Sequence, residues 1–155
     1  MKRLGIFVDV SNLYYCTEKQ YRKKIDYAKY LAFLNDFGTA KFSIAYAAVM
    51  GTQADGFLHA LAELGFQVKT RTPKEYSIPG GGVKHKCDFD VQIALDMVHM
   101  QSQMDMCILG SADGDLTPAV KYLTIPTVIF ACGISNELAK SAKAAIEIPP
   151  SILIG

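Results

Sequence analysis

The chain has no C-x-x-C pair, and its three histidines are scattered. A tetrahedral zinc site or another soft-metal cluster is therefore not expected. Its four cysteines, Cys16, Cys87, Cys107 and Cys132, lie far apart, with Cys107 and Cys132 inside apolar runs. They read as buried free thiols in a reducing compartment, not as a disulfide framework. No G-x-G-x-x-G or Walker sequence occurs, so nothing supports dinucleotide or nucleoside triphosphate binding. The longest uncharged stretch, residues 122–136, contains Pro126 and is too short to span a bilayer. The apolar stretch after Lys2-Arg3 is interrupted by Asp9 too early for a signal peptide. The expectation is a cytoplasmic protein with no membrane contact. Repeats and low-complexity segments are absent as well. A net charge of +1 argues neither for nor against nucleic acid.

The 155 residues are half apolar and one-fifth charged, which suits one globular domain over residues 1–155. Strand-like runs at 4–8, 42–49, 66–70, 106–109 and 127–131 alternate with helical patterns at 27–37, 54–64, 89–100 and 116–123. A shorter helical pattern covers 136–144. Near-continuous apolar strands separated by helices predict an α/β three-layer sandwich around a parallel sheet. Residues 72–87, with Pro73, Pro79 and Gly80-Gly81-Gly82, resist assignment. They read either as a basic flap over an anionic substrate, with Lys84 and Lys86 at its exit, or as a plain connection. The apolar tail 146–154 has the character of a segment that packs on the domain or on a second subunit in a homodimer.

Four aspartates stand where apolar elements begin or end. Asp9 closes the first strand, Asp90 opens a helix, and Asp113 and Asp115 follow the fourth strand within Gly110-Ser111-Ala112-Asp113-Gly114-Asp115. In open α/β sheets such places converge beyond the carboxyl ends of the strands, at the point where strand order reverses. Converging carboxylates repel unless a proton or a cation lies among them. Hard cations such as Mg²⁺ take oxygen ligands and leave room for water and phosphate.

Each residue also has a plainer role. Asp115 can cap the helix ahead of Leu116, and Ser11 or Asn12 can cap the helix after the first strand. The Asn12 amide can instead orient Asp9 or a phosphate oxygen, and Ser111 can serve a phosphate or only a turn. At about 3.6 residues per turn, Asp88, Gln92, Asp96 and His99 share a polar face. Asp90 falls in the opposite arc with Phe89, Val91, Ile93, Ala94, Met97 and Val98. A carboxylate facing inward there needs a salt bridge to a lysine or a cation.

Three segments resemble the signatures of NYN domains of the LabA-like type, within the PIN-like nuclease superfamily. They are Ile6-Phe7-Val8-Asp9-Val10-Ser11-Asn12-Leu13-Tyr14, Cys87-Asp88-Phe89-Asp90-Val91-Gln92-Ile93-Ala94-Leu95-Asp96 and Leu109-Gly110-Ser111-Ala112-Asp113-Gly114-Asp115-Leu116-Thr117-Pro118. The resemblance implies a five-stranded parallel sheet of order 3-2-1-4-5 and a Mg²⁺ or Mn²⁺ site that cuts RNA. It carries the acidic positions onto Asp9, Asp90, Asp113 and Asp115, with Asp96 at a commonly acidic place that the helical wheel turns outward. Ala112 stands where the family often has glycine, and the link 123–126 is shorter than usual.

The favoured expectation is a metal-dependent ribonuclease acting on single-stranded RNA. Asp9 and Asp113 would hold the principal ion, Asp90 and Asp115 would complete a second site or position the attacking water, and Lys84 or Lys86 would hold the RNA backbone. One alternative is a non-catalytic module that binds RNA or a partner. Another is a haloacid-dehalogenase-type phosphohydrolase, which wants a second aspartate where Ser11 stands.

Overall fold

The computed structural model describes residues 1–155 apart from Met50, Gln53 and Cys87, and of Tyr76, Lys84, His85 and Lys86 it describes the backbone alone. In chain order the elements are β1 (Arg3–Asp9), α1 (Val10–Tyr21), β2 (Lys24–Ile25), α2 (Tyr27–Phe33), β3 (Thr39–Ala48), α3 (Asp55–Glu63), β4 (Gln67–Arg71) and β5 (Lys74–Ser77). There follow β6 (Val83–Lys86), α4 (Asp90–His99), β7 (Met106–Gly110), α5 (Thr117–Tyr122), β8 (Thr127–Ala131), α6 (Asn136–Ser141), β9 (Ala144–Glu147) and β10 (Leu153–Ile154).

The fold is an α/β sandwich whose central parallel sheet runs β4-β3-β1-β7-β8-β9. The five expected strands take their expected order, and β9 adds a sixth at the edge beside β8. The expected helix over 136–144 stops at Ser141, because Ala144–Glu147 pairs as this strand instead. Strands β7 and β8 are buried along their whole length, and β1 from Leu4 onward, as residues covered on both faces must be. Register places Val8 opposite Gly110, so the ends of β1 and β7 are level where the strand order reverses.

Two elements differ from the sequence expectation. Helix α1, expected after β1 but without bounds, follows it with no intervening loop; its extent was not signalled, because only Val10, Leu13 and Thr17 are buried along it. The unassigned segment 72–87 contains an antiparallel hairpin, β5 with β6. Its turn passes through Gly80, Gly81 and Gly82, all at positive φ, where a side chain would be strained.

Aromatic packing ties the helices to the sheet. Phe130 of β8 is stacked between Tyr30 and Phe33 of α2, each ring centroid 4.5 Å away. Such pairs add about 0.5–1.5 kcal/mol beyond burial. The Tyr30 hydroxyl donates to the Phe130 carbonyl at 2.8 Å. The apolar tail packs on the domain: Ile148, Ile152 and Leu153 are buried, and β10 pairs with β2. Among the described residues no helix is long and apolar enough to cross a membrane.

Candidate metal centre

Asp9 ends β1 and caps α1. Its Oδ1 accepts the Asn12 N–H at 3.1 Å, so the cap is neither Ser11 nor Asn12. Asn12 turns its Oδ1 to the Ala112 N–H at 3.0 Å and so pins the start of α1 to the loop after β7. In that loop the buried Ser111 hydroxyl accepts the Asp113 N–H at 3.3 Å. Asp113 Oδ1 in turn accepts the Asp115 N–H at 2.9 Å and caps the short 3-10 turn before α5. The capping role considered for Asp115 therefore falls to Asp113, and the Asp115 side chain stays exposed.

Asp90 opens α4 and is buried, with its N–H donated to Asp88 Oδ1 at 2.7 Å. Oxygens of Asp90, Asp113 and Asp115 lie within 4.8 Å of one another. Asp90 Oδ2 is buried with no hydrogen-bond partner, and among the described residues no lysine pairs with it. The salt bridge considered for Asp90 is thus not what turns it inward. An unpartnered buried carboxylate oxygen is costly, and a cation would relieve the cost. Three hard oxygen donors at this spacing suit a divalent cation with metal–oxygen distances of about 2.0–2.6 Å. The donor set therefore fits a hard divalent cation.

The electrostatics agree. Asp90 is pushed up to about 8 by burial first, then by the neighbouring Asp113 carboxyl, with the charges of Asp88 and Asp9 adding. Asp9 stands just outside the converging trio. It is pushed up to about 6 by burial, aided by Asp88 and Asp113 and opposed by the backbone N–H groups of Asn12 and Ser11. Asp88 was assigned no role from sequence, yet its charge acts on both. Its position two residues before Asp90 was the available signal. Arg71 borders the same corner, donating to the Asp88 carbonyl at 2.9 Å with its guanidinium 5.7 Å from the Phe89 ring centroid.

Asp96 corrects the helical wheel. It turns towards the sheet, where Oδ2 accepts Tyr46 Oη at 2.7 Å and pairs with Lys69 Nζ at 2.9 Å. Val91, assigned to the apolar arc, is 73% exposed, and Leu95 is 65% exposed. The true inner stripe is Asp90, Ile93 and Met97. The side chains of Lys84 and Lys86, expected to contact substrate, lie outside the described residues.

Acidic side chains gathered beyond the central strands of a parallel α/β sheet are the arrangement of PIN-like nucleases. A family model for the NYN domain, a PIN-like family, matches residues 3–148, and the chain belongs to that family. NYN domains are usually nucleases and act on RNA. The chain is 29% identical to the low amplitude and bright protein LabA of Synechococcus elongatus, over 94% of this chain and 83% of LabA. It also resembles the crystal structure of VPA0982, a protein of unknown function from Vibrio parahaemolyticus. The TM-score is 0.85 and the identity 26%, over 99% of this chain and 96% of that one.

Proposed function

We propose that this protein is a metal-dependent ribonuclease that hydrolyses phosphodiester bonds of single-stranded RNA. The observation that carries the reading is the convergence of Asp90, Asp113 and Asp115 around a buried, unpartnered carboxylate oxygen in a member of the NYN family. A bound Mg²⁺ or Mn²⁺ supplies charge neutralisation at the scissile phosphate and makes the attacking water more acidic. Asp90, Asp113 and Asp115 are the proposed ligands. Asp9, held by the Asn12 N–H beside the proposed ligands, would accept a proton from the water. Asn12 and Ser111 act by holding the loop that carries Asp113 and Asp115. Tyr14 and Tyr15, exposed on the helix that starts at Asp9, offer rings on which unpaired bases stack. Lys84 and Lys86 are assigned, from sequence alone, to the RNA backbone.

The test is cleavage of labelled single-stranded RNA with Mg²⁺, with Mn²⁺ and with excess chelator. The reading expects cleavage only with metal, and a loss on the order of 10²-fold or more in Asp113→Asn and Asp9→Asn. RNA held but left intact would make the protein a binding module. Phosphate released from a small monoester, with RNA untouched, would favour the dehalogenase-type chemistry. Chelator-resistant cleavage that survives both substitutions would sink the mechanism.

A further inference from the structure

Cys16 of α1 and Cys132, just after β8, bring their sulfurs to 2.7 Å across a separation of 116 residues. Cys16 Sγ also donates to the Cys132 carbonyl at 2.9 Å, and Cys132 Sγ donates to Gln20 Oε1 at 3.0 Å. The approach depends on Gly133. A β-carbon there would stand 2.9 Å from Cys16 Sγ, and its φ of 69° disfavours any side chain. Glu147 anchors this segment by accepting the Gly133 and Ile134 N–H groups at 2.8 and 3.0 Å. A disulfide has a length of about 2.05 Å, so closure needs a shift of well under 1 Å between the sulfurs.

We propose that Cys16 and Cys132 are a redox-active dithiol pair, which a low-molecular-weight disulfide oxidises to a bond tying α1 to the segment after β8. This inference does not depend on the nuclease reading. The half-buried Cys16 is the accessible member, whereas Cys132 is 1% exposed. Cys132 is also pushed up to about 12, by burial first and then by Cys16 and Glu147, which makes it a poor first nucleophile. The Cys16 thiolate therefore attacks one sulfur of the oxidant, forming a mixed disulfide and releasing one thiolate. Cys132 gives up its proton to that thiolate and attacks Cys16 Sγ, which expels the second thiolate. Two S–H bonds are lost and one S–S bond forms, while the small disulfide is reduced to two thiols.

The bond would couple two segments that meet the same loop. Helix α1, capped by Asp9, carries Asn12, whose Oδ1 accepts the Ala112 N–H, while beyond Cys132 the Ser135 N–H donates to the Ala112 carbonyl at 3.3 Å. Both segments thus hold the loop that bears Asp113 and Asp115. A cross-link closing so long a loop restricts the unfolded chain and stabilises the fold.

The experiment treats reduced full-length Cys87→Ser protein with excess oxidised glutathione under native conditions, then maps its peptides by mass spectrometry and records melting. The expected product has lost two hydrogens, joins the Cys16 and Cys132 peptides, and melts about 5–10 °C above the reduced protein. Cys16→Ser and Cys132→Ser, each checked for folding by circular dichroism, should both abolish the joined peptide. A glutathione adduct that persists on Cys16, absence of reaction at either thiol, or a bond involving the fully buried Cys107 would overturn the proposal. A joined pair that melts below the reduced protein would overturn it as a stabilising cross-link.

Discussion

Asp90 is held further from the ordinary carboxylate range than Asp9, because it is buried against Asp113 and forms no ion pair among the described residues. Both residues titrate higher in the fold than in an unfolded chain, where an aspartate titrates near about 3.9. The stability they contribute is therefore complete at low pH. It is lost as pH rises, first through about 6 for Asp9 and then through about 8 for Asp90. Metal-free protein should accordingly melt at lower temperature at pH 8.5 than at pH 5.5, roughly, and added Mg²⁺ should reverse the loss. Asp90→Asn should remove the upper part of that dependence and raise the metal-free melting temperature by roughly 3–6 °C above neutral pH. Melting curves across pH decide this, and a drop in stability for Asp90→Asn would contradict the like-charge reading. The sequence exposed Asp90 as a carboxylate facing inward. For Asp88 it showed only the proximity of two residues, since the turn that brings Asp88 Oδ1 to the Asp90 N–H is a property of the helix entry.

At the scale of elements, α4 shows where helical-wheel reasoning slips. Asp96 lies between the sheet-facing stripe and the solvent, and the long side chains of Lys69 of β4 and Tyr46 of β3 reach up to its carboxylate. One carboxylate thus joins α4 to two neighbouring strands of the sheet. Asp96→Asn should destabilise the fold by about 1–2 kcal/mol, read as a lower urea midpoint with an unchanged slope. A double-mutant cycle with Lys69→Met should return a coupling of about half that size or more. An Asp96→Asn variant as stable as the parent would show the pairing to be inert. The polar face inferred from sequence was rotated because Val91 and Leu95 are exposed in spite of their apolar side chains. Periodicity assigns faces by residue type, and α4 puts two large apolar residues in solvent. The extent of α1 was hidden for the related reason that so little of it is buried, whereas the fully buried β7 and β8 were plain.

Across the whole molecule, strand order was legible because buried parallel strands leave continuous apolar runs and their right-handed crossovers restrict the topology. The edge strand β9 was not, since its half-buried and exposed residues alternate over only Ala144–Glu147 and the preceding helix pattern runs into it. Likewise the tail after β9 carried no sign of which surface it would cover, and the pairing of Leu153 with Ile25 comes from tertiary packing alone. What the sheet achieves is to bring Asp9, at the end of β1, level with the loop that follows β7, while α4 delivers Asp90 from another part of the chain. The divalent cation proposed for this meeting point is tested by anomalous diffraction from crystals soaked in Mn²⁺. A peak bounded by the Asp90, Asp113 and Asp115 carboxylates is expected, lost in crystals of Asp113→Asn. Crystals showing no peak there at millimolar Mn²⁺, or a peak that persists in Asp113→Asn, would contradict it.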